Sequence, residues 1–220
     1  MWKLHNKVSK MENAEINDIP WEFYAEATPN PSSMKFVASR LILENGATAE
    51  YTSIKETKKA PLAQRLFEFP FTKSIFIAGN YITLTKHDFV SWEDILQEIR
   101  SFLITYTRSG EPLIYELPRK EVPADSSFDK KIDITTQHAI PKTELEAKIV
   151  ETLENYIRPA VEQDGGLITF KSFENGVVKV QMRGACSGCP SSTMTLKSGI
   201  EGLLKRVIGP DIKEVVSEAM

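Results

Sequence analysis

The chain has 220 residues, 27 Lys and Arg against 30 Asp and Glu, a formal net charge of -3 and 41% hydrophobic residues. That balance suits one large or two small globular domains, and without a basic stripe no nucleic-acid partner is expected. No apolar run approaches the ~20 residues that span a bilayer, so no membrane partner is expected either.

The first 18 residues read as a loose arm. They lack an apolar signal core, and Glu12, Glu15 and Asp18 are acids that a transit peptide avoids. A cytoplasmic protein, of bacterial origin, is the expectation. From Trp21 the pattern becomes strand-like: WEFYAEATP, MKFVASRLIL and ATAEYTSI are rich in β-branched and aromatic residues and are separated by turn residues. Pro61 suits the first turn of a short helix, PLAQRLFEF. Two strands are predicted over 74–78 and 81–85, around Gly79-Asn80. Ser91 can cap the next helix, whose apolar face is Ile95, Ile99, Phe102, Leu103 and Tyr106. One α+β domain over 19–108 results.

Residues 109–141 carry Pro112, Pro118, Pro123 and Pro141 among charges and read as a linker. Its stretch 113–117 is apolar and is a candidate for docking. The second domain, 142–220, opens on the capping box Thr143-x-x-Glu146. Leu145, Ile149, Leu153, Ile157 and Val161 follow at helical spacing, with a kink expected at Pro159. Asp164-Gly165-Gly166 ends that helix. A strand over 167–173, the hairpin signal Asn175-Gly176 and a return strand over 177–182 come next. Pro190 then starts a helix with Leu196, Ile200, Leu203, Leu204, Val207 and Ile208 on one face, and a last strand is expected over 212–216. The fold class is α+β, two small domains joined by a linker. The second is α-β-β-α-β, with a three-stranded sheet and two helices.

The chain's two cysteines stand together as Cys186-Ser-Gly-Cys189. In a reducing compartment such a pair is metal-binding or redox-active rather than structural. The strand-to-helix position is expected to lower cysteine pKa through the helix N-terminus. Gly184 and Gly188 remove side chains where backbone would pass a bulky ligand. Iron–sulfur clusters and structural zinc sites take four protein ligands, and one chain offers two thiols with no histidine near in sequence. A homodimer sharing one cluster is the simplest closure, and loop placement suits handing it on.

Alternatives are weaker. Gly184-Ala-Cys186-Ser-Gly188 looks like a nucleophile elbow, but no histidine follows it. A dithiol-disulfide oxidoreductase is the enzyme alternative, although little chain follows Cys189 to complete a thioredoxin-like sheet. A zinc-bridged interaction module is the third. No enzyme activity is expected. Asp164-Gly165-Gly166 is explained by helix termination, Asn30 and Lys35 by turn and edge roles, and His87 and His138 by the surface.

The second domain resembles the NifU-like C-terminal domain of Nfu-type iron–sulfur scaffold proteins, in IRPAVEQDGGLITF, GVVKVQMRGACSGCPSSTMTLKSGIEGLLK and EVVSE. The first is similar to the Nfu-type N-terminal domain in EATPNPSSMKF, PLAQRLFEFPFTKSIFIAGNYITLTK and the SWEDILQEI helix. The resemblance implies a [4Fe-4S] cluster bridging two subunits through Cys186 and Cys189 and delivered to apo-proteins. Spacing alone leaves [2Fe-2S] and zinc open. With no further cysteines, the chain has no scaffold module for assembling clusters de novo, which favours a carrier supplied by upstream cluster-assembly proteins. The first domain bears no chemical residues and is expected to dock clients or assembly partners.

Overall fold

The computed structural model describes residues 20–118, 137–187 and 190–218. The expected arm and the middle of the expected linker lie outside the described residues.

The first domain is built on one antiparallel sheet. Its strands are β1 (Phe23–Ala27), β2 (Ser33–Ala38), β3 (Thr48–Tyr51), β4 (Thr72–Ala78) and β5 (Tyr81–Lys86), in the order β1-β2-β5-β4-β3. Side chains alternate across each strand. One face presents Phe23, Phe36, Ile75, Ile77, Ile82 and Leu84, all buried. They share a core with Leu62 and Leu66 of α1 (Pro61–Leu66) and with Ile95, Ile99 and Leu103 of α2 (Trp92–Arg108). Ser91 caps α2, its Oγ accepting from the Glu93 N–H. The strand predicted over 34–43 stops at Ala38. Beyond it Ile42 and Leu43 turn their N–H groups to the Gly79 carbonyl and close the β4–β5 turn. The apolar stretch after α2 docks back on this domain. Leu62 N–H donates to the Leu113 carbonyl and Tyr115 N–H to the Lys59 carbonyl.

The second domain begins with α3 (Glu144–Thr152), capped by Thr143, whose Oγ1 accepts from the Glu146 N–H. The kink expected at Pro159 takes the form of a π-helical turn, Leu153–Ile157, ahead of α4 (Arg158–Gln163). Proline has no N–H to donate one turn back, and a widened turn absorbs that loss. Strands β6 (Gly166–Glu174) and β7 (Val177–Gly184) form a hairpin through Asn175 (φ 54°) and Gly176 (φ 87°), the left-handed pair a two-residue turn requires. Helix α5 (Pro190–Val207) crosses back, and β8 (Glu214–Glu218) adds parallel to β7. The last strand thus begins two residues later than predicted, with Ile212 buried just before it. Ile149, Leu153, Ile168, Phe170, Ile200 and Leu204 are among the side chains of a second, separate core. The α+β class and the three-stranded second sheet stand as predicted.

His138 corrects an expectation. It is 1% exposed rather than on the surface. Ala139 N–H bonds the Phe170 carbonyl, which lays residues 137–139 along β6 and turns the imidazole inward. There Nδ1 accepts from the Phe170 N–H at 2.7 Å and Nε2 meets Glu154. His87 is exposed, as expected, and stacks on Phe89.

Candidate functional site

Cys186 lies in the turn between β7 and α5, and Gly188 and Cys189 lie outside the described residues. The Cys186 side chain is 7% exposed and packs into the second core. Burial, with the nearby charge of Asp164 second, pushes its thiol up to about 12. This corrects the expectation of a lowered value. A thiol enclosed by apolar side chains has its charged form penalised more than the start of a helix can repay. In this conformation the sulfur is a neutral thiol.

The described part of the turn is tied to the elements around it. Ser187 donates from both N–H and Oγ to the Gly184 carbonyl, and Thr193 Oγ1 of α5 donates to the Cys186 carbonyl. Behind it passes the Gly165-Gly166 segment. A Cβ on Gly166 would stand 2.6 Å from Cys186 Sγ. Gly184 has φ +65°, and a Cβ there would stand 2.6 Å from the Gly165 carbonyl oxygen and 2.8 Å from Phe76. Close approach at Gly184 was expected, and the protein atoms that a Cβ there would meet belong to Gly165, Gly166 and Phe76. Gly184→Ala is therefore expected to cost about 1–3 kcal/mol from backbone strain. Denaturant unfolding measures it, and a loss below about 0.5 kcal/mol, the range of an ordinary surface change, would contradict this geometry.

Phe76 belongs to the first domain, whose second sheet face lies over this turn. Strand register places Glu26, Lys35, Thr83, Phe76 and Glu50 in one row across all five strands. Lys35 Nζ donates to the Gln163 carbonyl at 3.1 Å, and Thr83 Oγ1 to the Gly165 carbonyl at 2.7 Å. Glu50 accepts from the Gly184 N–H. In the next row the Tyr81 hydroxyl donates to the Gly166 carbonyl at 3.0 Å. Burial first, and the charges of Glu162 and Cys186 next, push the Tyr81 phenol up, which keeps it a donor. Asn30, 4% exposed, donates from Nδ2 to the Ala185 carbonyl, while its Oδ1 holds a turn by accepting from the Ser32 N–H. Phe76, Ala78 and Tyr81 form a small apolar cluster with Leu167 of β6. At its edge Arg183 Nη1 donates to Thr48 Oγ1 and Gln137 Oε1.

Asn30 and Lys35 thus do more than the expected turn and edge roles. Asp164-Gly165-Gly166 does end α4, the Gly165 N–H returning to the Glu162 carbonyl. It is also the segment that the first domain grips. The polar residues of YITLTK do not by themselves tell what covers them. All six residues of β5 are buried, including Thr83, Thr85 and Lys86. Thr83 and Thr85 alternate onto the second sheet face, where Thr83 meets the second domain, whereas Lys86 lies on the other face with its Nζ over the Trp92 ring. Among the described residues no three His, Cys, Asp or Glu side chains gather where they could hold a metal ion.

Family models match both halves of the chain: "Scaffold protein Nfu/NifU N terminal" over residues 23–110 and "NifU-like domain" over 149–216. The human protein named "NFU1 iron-sulfur cluster scaffold homolog, mitochondrial" is 34% identical over 189 residues, 86% of this chain and 68% of its own length. The chain belongs to the Nfu/NifU family. Two other members of the family show the same extent of likeness. "NifU-like protein 4, mitochondrial" of Arabidopsis thaliana is 36% identical over 88% of this chain and 64% of its own length. A Drosophila willistoni protein with the same name as the human one is 35% identical over 86% and 60%. The chain thus spans less than two thirds of these last two relatives. All three are named as mitochondrial, which overturns the cytoplasmic, bacterial placement and points to the mitochondrion. That placement rested on the absence of an address at the start of the chain. In a chain shorter than its Nfu/NifU relatives, the first residues do not decide the compartment.

Proposed function

We propose that this chain is an iron–sulfur cluster carrier. Cys186 and Cys189 of two chains would hold one [4Fe-4S] cluster across a homodimer and pass it to apo-proteins. The observation that carries this reading is the sulfur pair itself. The chain's two thiols stand three residues apart in sequence, Cys186 in the turn that leads to α5, and among the described residues no group of three His, Cys, Asp or Glu gathers elsewhere. The names of the relatives support it, since they describe iron–sulfur cluster scaffolds. Soft thiolate donors fit iron–sulfur clusters, and a pair per chain is half of a usual ligand set. A [2Fe-2S] cluster would use the same donors.

The fit has one condition. Cys186 packs into the second core, so its sulfur must turn outward and lose its proton to bind. Transfer then follows by exchange, a client thiolate replacing one carrier thiolate at a time. The role is binding and delivery rather than catalysis, with upstream assembly proteins as the source of the cluster.

Anaerobic reconstitution of the full chain with iron and sulfide tests this reading. The expected result is a visible charge-transfer band with iron and acid-labile sulfide in equal amounts. Zinc without sulfide in protein purified without air would replace the reading with a zinc-bridged module. Disulfide-reductase turnover with no iron bound would replace it with an oxidoreductase.

A further inference from the structure

We infer that the second sheet face of the first domain is a latch on the cysteine turn, holding it in a closed form that excludes a second chain until the domains part. Four side-chain donors on or beside this one sheet face, from Asn30, Lys35, Tyr81 and Thr83, each reach a main-chain carbonyl of the cysteine turn or the segment behind it. Carbonyls are identical from residue to residue, so this recognition reads the path of the backbone. The path is available because Gly165 and Gly184 lack side chains. A Cβ on Gly165 would stand 2.8 Å from Thr83 Oγ1, and one on Gly184 would meet Phe76.

Closure and bridging meet at neighbouring residues. Ala185 is bonded directly to Cys186, and its carbonyl is held by Asn30. On this proposal the sulfur leaves the second core by a movement of the turn itself, which would cost the Asn30 bond to the Ala185 carbonyl. The latch is also separable. Its apolar part is a small cluster, whereas each domain keeps its own core. Contacts between domains of one chain behave like transient interfaces. The first domain therefore acts on the site by covering it, and loading with a cluster goes together with its release. This consequence for loading rests on the carrier reading, but the latch itself does not.

The test uses the full chain in two arms. The first arm contains no iron. In wild-type apo protein the Gly184 amide, donated to Glu50, is expected to exchange slowly. Thr83→Val with Tyr81→Phe, which keep side-chain size, is expected to speed its exchange by about tenfold or more by lowering the local opening cost. The same double variant should raise the radius of gyration measured by X-ray scattering. Unprotected Gly184 in the wild type, or unchanged exchange and size in a folded variant, would overturn the latch. Should the variant fail to fold, the wild-type measurement still decides. In the second arm both proteins receive iron and sulfide. The variant is expected to load about tenfold faster, since the opening step is easier. Equal loading rates with a confirmed first arm would overturn the link between closure and loading. A confirmed first arm with no loading of either protein would overturn the carrier reading and leave the latch standing.

Discussion

Cys186→Ser and Cys189→Ser are each expected to abolish stable cluster loading. A serine hydroxyl is not a soft donor and stays protonated where a thiol can ionise. Losing one sulfur per chain leaves a bridged cluster with half of its ligands. Changes in groups that only support metal ligands already cost about 10–100-fold in affinity, so loss of a ligand should exceed about 100-fold. The measurement is iron and sulfide retained after anaerobic reconstitution and desalting. Cys186 needs one control. Its sulfur packs in the second core, so serine would place a hydroxyl among apolar side chains. Cys186→Ala removes the ligand without adding a polar group and should lose the cluster equally. A single variant that keeps full iron and sulfide contradicts the ligand assignment.

Phe170→Ala is expected to destabilise the second domain more than any surface change. Its ring is 1% exposed in the core of that domain. Its main chain is engaged on both sides, the N–H by His138 Nδ1 and the carbonyl by the Ala139 N–H. Truncating a buried phenylalanine costs about 3–5 kcal/mol. A domain of this size holds on the order of 4–12 kcal/mol in total, from about 0.05–0.15 kcal/mol per residue. Much of its stability would therefore go, and the cysteine turn with it. Chemical denaturation followed by far-ultraviolet circular dichroism reads the change. A loss under about 1 kcal/mol, the typical cost of any point change, would contradict the place of Phe170 in the core.

What could be read from the sequence was what local chemistry sets. The Asn175-Gly176 hairpin, the Ser91 and Thr143 caps and the proline starts of α1 and α5 each depend on a few neighbouring residues. The apolar face of α2 follows from helical spacing, as does most of that of α5. Val207, predicted on that face, is 52% exposed at the last residue of the helix. The cysteine pair follows from spacing and composition. What could not be read depends on contacts between distant parts of the chain. Asn30 and Ala185 are 155 residues apart in sequence, and nothing near either announces the other. The polar alternation of β5 is the same whether water or a second domain covers it. His138 looks like a linker residue until the chain lies beside β6. Cys186 shows the same limit: the start of α5 argues for an ionised thiol, and burial reverses that. Cys189 and the segment over 119–136 lie outside the described residues.

Bridging by two chains is the central claim, and sedimentation under nitrogen tests it most directly. Apo and reconstituted full-length chains are compared at the same protein concentration, with absorbance followed both at 280 nm and in the cluster band. Ligand binding that needs two chains must favour the dimer by mass action. The apo protein is expected to sediment with a larger monomer fraction. The cluster absorbance is expected to travel only with the dimer, about one cluster for each pair of chains. A cluster band moving with the monomer at full iron and sulfide content would contradict the account.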